Sequence, residues 1–300
     1  MFPNFLVVGA GGFIGEHLAL ALRIRYEKCR LQLAGLGVDK FSSISGIDVV
    51  PGFVDGELLA KCDVPDYIIY LAGGSSVGPS LREPHSDFCL TVPGLSLLLN
   101  KMRLEWKKSR LVYVSSAAVY GNAASASTSV AAPRRPVSPY GLHKFLCEEL
   151  IGYYCREYDL DCMIIRPFSV YGPGLKKQLF WDVFQKMRVG DYSFFGSGQE
   201  LRDWVYIDDL VEFILDISLS PSRGIVNAGT GIGRTVSSAI VEVFRAGGCT
   251  AKPHFSDSAK KGDPDSLVAC YNEQICYSSL YRTSFEAGID AYVRWAQGEE

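Results

Sequence analysis

Short apolar runs alternate with longer stretches of helical spacing along the first two-thirds of the chain. Phe5–Val8 is apolar, of strand length, and ends on glycine. Leu31–Ala34, Val49–Val50, Tyr67–Ala72, Leu111–Ser115, Cys162–Arg166 and Ile225–Asn227 have the same character and read as strands. Between them, residues 13–26 put Phe13, Ile14, Leu18, Leu22 and Tyr26 largely on one side of a helix. Residues 86–105, 138–158 and 178–189 also read as helices. Strands alternating with helices of this length predict an α/β chain with a parallel sheet covered on both faces. Beyond about residue 167 the alternation becomes irregular, with turns at Gly172-Pro173-Gly174 and Gly196-Ser197-Gly198. A smaller, loop-rich lobe is expected there. The small, polar segment 123–132 reads as a surface loop.

Composition narrows the function classes. The 300 residues carry a formal net charge of −3 and no basic stripe, which argues against nucleic acid as a partner. The nine cysteines are scattered, odd in number and without a Cys-x-x-Cys pair. Reduced thiols in the cytoplasm fit that better than a disulfide framework or a metal site. The apolar start lacks a basic flank and is broken at once by glycines, so it reads as a strand and not as a signal peptide. No run of about 18 apolar residues occurs, so no membrane span is expected.

The first strand leads into Gly9-Ala10-Gly11-Gly12-Phe13-Ile14-Gly15 and then into a helix. Gly9 permits the tight exit, Gly12 lets backbone amides approach a pyrophosphate, and Gly15 lets the helix pack closely on the sheet. The helix N-terminus adds about half a positive charge facing the phosphates. This is the dinucleotide-binding turn of a Rossmann-type doubly wound sheet. Further on, Tyr140-Gly141-Leu142-His143-Lys144 lies on a predicted helix, where residues four apart share a face. Lys144 would stabilise a Tyr140 phenolate, allowing the tyrosine to take a proton from a substrate hydroxyl. Ser116, at the carboxyl end of a predicted strand, is the candidate hydrogen-bond donor to the reacting oxygen. Alone, Tyr-x-x-x-Lys is also compatible with an ordinary helix face, and Ser116 with a strand-end cap.

Seven blocks in order extend these signals: GAGGFIG at 9–15, LAGGSSVGPS at 71–80, SSAAVYG at 115–121, YGLHK at 140–144, RPFSVYGPG at 166–174, GSGQELRDWVYIDDL at 196–210 and NAGTG at 227–231. With them the chain resembles the NAD-dependent epimerase/dehydratase family, the extended, nucleotide-sugar-modifying branch of the short-chain dehydrogenases/reductases. The resemblance implies a catalytic Ser116, Tyr140 and Lys144. It implies a cofactor, NAD or NADP with NAD favoured, held by Gly9, Gly12, Phe13, Ile14, Gly15, Asp55, Leu71, Ala72, Gly73, Tyr140, Lys144 and Pro167. It implies a nucleotide-sugar substrate met by Ser75, Ser76, Ser116, Ser169 and Arg202, with Arg202 on the diphosphate. Phe194 and Phe195 precede the turn where the family lays the base, and suit a core position equally well. The domain expectation is a dinucleotide-binding domain at 1–166, to which 202–228 returns, and a substrate-binding lobe at 167–201 and 229–300. A homodimer is expected through the Tyr140 helix, with Leu142, Phe145, Leu146, Ile151 and Tyr154 as apolar surface. No metal is expected.

Four departures from the family pattern bear on the reaction. Leu33-Ala34-Gly35-Leu36-Gly37 has no acidic residue for the adenosine ribose, although Asp39 and Lys40 follow closely. Phe53 takes the position of the family's aspartate, leaving Asp55 as the candidate adenine contact. Thr91 and Ser169 replace family asparagines. Ala117 and Ala118 replace the Asp-Glu that dehydratases use to eliminate water, and neither can transfer a proton, which disfavours 4,6-dehydration. The expected function is therefore NAD-dependent 4-epimerisation of a nucleotide-sugar. An NADPH-dependent 4-keto-sugar-nucleotide reductase and a non-catalytic NAD(P)-binding sensor are the alternatives.

Overall fold

The computed structural model describes residues 2–122, 127–256, 264–270 and 282–298. The chain divides into two compact units. The first comprises Met1–Tyr120, Arg134–Arg166 and Ile214–Val226, and the second Gly121–Pro133, Pro167–Phe213 and Asn227–Glu300.

The first unit is built on β1 (Asn4–Val8), β2 (Arg30–Gly35), β3 (Ile47–Pro51), β4 (Tyr67–Tyr70), β5 (Arg110–Val114) and β6 (Asp161–Pro167). With a later strand, β10 (Gly224–Ala228), they form a seven-stranded sheet in the order β10-β6-β5-β4-β1-β2-β3. The pairs from β3 across to β6 are parallel. Chain order reverses direction at β1, which lies between β2 and β4, so this edge is the switch point where ligands of open α/β sheets bind.

The central strands are apolar at most positions because both faces are covered. Leu6, Val8, Ile68, Tyr70, Leu111 and Tyr113 join one core cluster with Leu95, Leu98, Leu99, Met102, Cys147 and Ile151. The latter come from two long helices, α4 (Pro84–Leu104) and α5 (Pro139–Tyr158). The alternate residues Phe5, Val7, Ile69 and Val112 are also buried, as are Leu18, Ala19 and Leu22 of α1 (Phe13–Arg25). Two short helices, α2 (Gly56–Ala60) and α3 (Val77–Arg82), were not anticipated from the sequence. Strand β4 stops at Tyr70, two residues before the predicted end, although the Leu71 amide still donates to the Val8 carbonyl. Gly73, at φ +137°, turns the chain away.

In the second unit β7 (Ser169–Tyr171) and β9 (Leu201–Tyr206) pair in parallel. β11 (Gly233–Thr235) and β13 (Ser266–Leu267) flank β9. β8 (Ser193–Phe194) pairs with β12 (His254–Phe255). Helices α6 (Gln178–Val189), α8 (Val236–Ala246) and α9 (Phe285–Gln297) carry the core of this unit. Tyr171, Phe180, Trp204, Phe285 and Tyr292 form its aromatic centre. The expected domain boundaries need correction at two places. Of 202–228, only 214–226, which includes the end of α7 (Ile207–Leu219), belongs to the first unit. Among the described residues β9 pairs with β7, β11 and β13, all of the second unit, and that holds 201–206 there. Residues 121–133 also belong to the second unit, where Thr128 exchanges backbone hydrogen bonds with Val268 and Cys270.

Candidate active site

Of the four glycines in the turn after β1, three are required by the fold and one, Gly12, is not. Gly9 has φ +89°, and a Cβ there would lie 2.5 Å from the Ala72 amide nitrogen. A Cβ on Gly15 would lie 2.5 Å from the Gly9 carbonyl oxygen and 2.6 Å from Ala10 Cα. Gly12 is different. Its backbone is extended (φ −80°, ψ 171°), and the nearest atom to a Cβ would be the Gly9 oxygen at an ordinary 3.5 Å. Gly12 is the N-cap of α1 and supplies no side-chain cap, while Phe13 and Ile14 follow half-buried in the first turn. The amides of that turn are orphan donors with a positive end dipole. A dinucleotide pyrophosphate fits this cradle, because the space a Cβ would take at Gly12 is left open on the protein side.

The ribose end is less clearly furnished. Gly35 and Gly37 both have positive φ, and Gly11 packs so closely on the turn that its Cβ would meet the Leu36 carbonyl oxygen at 2.0 Å. Asp39 lies in a short 3-10 turn, and Lys40 pairs with Glu16. Asp55 is the N-cap of α2, where its Oδ1 accepts from the Leu58 amide at 2.8 Å. Phe53 is exposed.

Leu71, Ala72 and Gly73 leave β4 half-buried, beside Gly9. Thr91, where the family has asparagine, accepts from the Gly74 amide through Oγ1 at 2.8 Å, and so ties this loop to α4. Ser75 is exposed, and Ser76 is the N-cap of α3 without a side-chain bond.

Ser116 follows β5, with its Oγ accepting from the Ala118 amide at 3.2 Å. Tyr140 enters on the first turn of α5. Ser138 caps that helix by accepting from Gly141, and Pro139 occupies its first position. Gly141 is sterically required, since a Cβ would lie 2.5 Å from the Ala118 carbonyl oxygen. The Tyr140 amide donates to Ser80 Oγ at 3.1 Å, and the Ser116 side chain lies near enough to the Tyr140 hydroxyl to act on it. The structure thus brings the Ser116 and Tyr140 hydroxyls together. Burial pushes the Tyr140 hydroxyl up, the Ser116 hydrogen bond pulls it down, and the Asp87 carboxylate pushes it up further.

Lys144 is buried and donates from Nζ to the Val114 carbonyl at 3.0 Å. Desolvation holds its ammonium below the usual range, against the pull of Cys147, Asp87 and Glu148. Lys144 stands one helical turn after Tyr140 on α5, while Ser116 and Asp87 act on the Tyr140 hydroxyl.

One network was not foreseen. Glu148, one turn after Lys144, accepts from Ser115 Oγ at 2.6 Å and forms a buried two-point pair with Arg166 at 2.9 and 2.6 Å. Arg166 also donates to the Tyr120 hydroxyl at 2.6 Å. These bonds fasten the strand ends that carry Ser116 to the helix that carries Tyr140.

In the second unit, Pro167 is buried at the end of β6, and Ser169 is half-buried opposite Trp204. Arg202 lies half-buried on β9, with Nη1 donating to the Leu201 carbonyl at 2.9 Å. Its neighbour Asp203 is buried and accepts four bonds, from the Thr230 amide and hydroxyl and from the Gly231 and Ala269 amides. Phe194 is in the core and Phe195 is exposed. On α5, Ile151 is buried, which removes it from the expected dimer surface, whereas Leu142 and Leu146 are exposed. Part of the predicted surface loop, residues 123–126, lies outside the described residues. Among the described residues no cluster could hold a metal ion, and no helix is long and apolar enough to cross a membrane.

Known proteins share both the sequence pattern and the fold. UDP-glucose 4-epimerase of Mycolicibacterium smegmatis is 30% identical over 279 residues, covering 83% of this chain and 84% of that protein. ADP-L-glycero-D-manno-heptose-6-epimerase of Pseudomonas paraeruginosa is 27% identical over 342 aligned residues, covering 97% and 98%. The crystal structure of Thermotoga maritima UDP-glucose 4-epimerase with UDP-glucose superposes with a TM-score of 0.88 at 25% identity, over 99% of each chain. That of Bacillus cereus UDP-glucuronic acid 4-epimerase, in complex with UDP-glucuronic acid and NAD, gives 0.88 at 22% identity over 99% and 100%, a likeness of fold. The family model described as NAD dependent epimerase/dehydratase matches residues 5–229. On these matches, together with the doubly wound sheet, the chain belongs to the NAD-dependent epimerase/dehydratase family.

Proposed function

We propose that this protein is an NAD-dependent 4-epimerase of nucleotide-sugars. The observation that carries the reading is the Ser116–Tyr140 hydroxyl pair after β5, on the same sheet edge as the uncapped N-terminus of α1. A relative 30% identical is named UDP-glucose 4-epimerase, which supports the reaction and a UDP-sugar. Bound NAD supplies a reversible hydride acceptor at sugar carbon 4. The chain supplies the rest. Amides of Phe13 and Ile14 hold the pyrophosphate where Gly12 leaves room for it, and Gly9, Gly15, Leu71, Ala72 and Gly73 shape the floor. Tyr140 takes the proton from the C4 hydroxyl and later returns it, while Ser116 hydrogen-bonds the same oxygen. A tyrosine raised by burial needs positive charge nearby to ionise; Lys144 and the cationic cofactor ring are the charges available. Arg202 grips the diphosphate through its fork of donors, and Ser169 adds one hydrogen bond. Ser75 and Ser76 contact the sugar. Ala117 and Ala118 have no proton to transfer, so elimination of water is not supported.

Denaturing the purified protein and identifying what it releases tests the cofactor assignment. Tightly bound NAD is expected. A second reading, an NADPH-dependent 4-keto reductase, is favoured only by the lack of an acid at Gly35-Leu36-Gly37. Release of no cofactor, with NADPH consumed on a 4-keto sugar, would establish it. The protein is further proposed to be cytoplasmic, because its eight described cysteines are all free. We also propose a homodimer through α4 and α5, which expose Leu90, Leu97, Leu142 and Leu146.

A further inference from the structure

A carboxylate lies buried beside the candidate acid–base pair, and the proposed chemistry does not use it. Asp87, on the first turn of α4, is 6% exposed. It adds negative charge at both Tyr140 and Lys144. Beside a lysine this charge favours the ammonium; beside a tyrosine that must ionise it is an obstacle. Two features hold it in place. A Cβ on Gly74 would lie 1.8 Å from Asp87 Oδ1, so the carboxylate occupies the space a side chain would take in the loop after β4. On the other side, His143 Nδ1 donates to Asp87 Oδ2 at 2.5 Å. The acceptor fixes the ring tautomer, since a carboxylate takes a proton on Nδ1 and leaves Nε2 opposite. His143 is itself 7% exposed and lies between Tyr140 and Lys144 in sequence. The Phe88 ring meets it edge-on at 5.5 Å.

We propose that Asp87 and His143 form a positioning dyad for Tyr140: the carboxylate anchors the first turns of α5 against the loop after β4, and the imidazole shields Tyr140 from the carboxylate's charge. The inference rests on the proposed role of Tyr140 as the acid–base group. Neither residue touches the reacting atoms; each acts through Tyr140. The other titratable groups around the pair are Lys144, Cys147 and Glu148 of α5, Tyr70 of β4 and Tyr113 of β5. From α3 the neighbour is the Ser80 hydroxyl, which carries no charge.

The test uses charge signs that a merely structural role would not produce. In His143→Ala, Asp87 keeps its charge without the imidazole, and Tyr140 should ionise about one pH unit higher. In Asp87→Asn the charge is gone with the shape kept, and Tyr140 should ionise about one pH unit lower. Ultraviolet difference titration of the full chain, with Tyr140→Phe as the blank, reads this phenolate without substrate. His143→Asn, which can still donate from its side-chain amide to Asp87, should recover most of the kcat lost in His143→Ala, with KM nearly constant. The acid limb of the kcat profile should move with the phenolate in each variant. Shifts of the same sign in both variants, or no shift in either, overturn the proposal. If wild-type protein epimerises no nucleotide-sugar, the proposed function fails, while the opposite shifts of the phenolate still decide the dyad.

Discussion

Replacing Gly12 and Gly15 separately by alanine should separate cofactor binding from folding. At Gly12 the added methyl meets the Gly9 carbonyl oxygen at 3.5 Å, and the backbone there suits any residue. The remaining cost is that alanine is a poorer N-cap than glycine, about 0.5–1 kcal/mol. For a chain of this size that is a fall in Tm of about 2–3 °C. At Gly15 the methyl would lie 2.5 Å from one backbone atom and 2.6 Å from another. Neither can swing aside, so the helix must shift from the sheet at a cost of about 1–3 kcal/mol or more. Cofactor affinity should follow a different order. A methyl on Gly12 points into the open cradle and should weaken NAD binding at least about tenfold, or ~1.4 kcal/mol. Thermal unfolding with and without NAD, beside calorimetric titration, reads both quantities. Gly12→Ala should unfold near wild type and gain little Tm from NAD. The reasoning is refuted if Gly12→Ala binds NAD within threefold of wild type, or loses as much stability as Gly15→Ala.

Other outcomes follow from the same geometry. Tyr140→Phe should lower epimerisation at least about a hundredfold while leaving NAD affinity near wild type, measured by turnover and titration. Glu148→Ala strands the buried Arg166 guanidinium and should cost about 3–5 kcal/mol in denaturant unfolding; a loss under 1 kcal/mol would contradict the buried pair. Arg202→Ala should raise KM for a nucleotide-sugar about tenfold or more with a smaller effect on kcat, read from initial rates. Burial pushes the Cys62 thiol up to about 11, whereas Cys89 is exposed. Iodoacetamide at mildly alkaline pH should therefore label Cys89 in the native protein and leave Cys62 unmodified by mass spectrometry.

The central sheet was readable because parallel strands buried on both faces are continuous apolar runs, and each predicted strand overlaps an observed one. The apolar run Val49–Val50 is shorter than β3 because Asp48, at an exposed position within the strand, interrupts it. The second unit was harder for two reasons. Strands of two residues, such as β13, carry no alternation, and β13 pairs with β9 more than sixty residues away. Helices α8 and α9 did leave a signal: Ala239, Ile240, Val243 and Phe244, and likewise Phe285, Ile289, Tyr292 and Val293, repeat at helical spacing and are buried. At the site, the glycine turn was legible because local spacing specifies it, and Tyr140 and Lys144 fall on one helix, α5, as their spacing predicts. The Asp87–His143 pair spans 56 residues, and the Glu148–Arg166 pair bridges a helix and a strand; nothing local marks either. Asp55 shows the reverse. Expected from the resemblance as an adenine contact, it caps α2, a helix the sequence did not announce, by accepting from the Leu58 amide.

Proton NMR of a panel of UDP-, GDP-, CDP- and dTDP-sugars, each incubated with the purified protein and NAD, tests the central claim most directly. The account predicts that at least one sugar is converted to its C4 epimer by the wild type and not by Tyr140→Phe. Absence of C4 inversion for every sugar in the panel, or inversion that survives Tyr140→Phe, would contradict it.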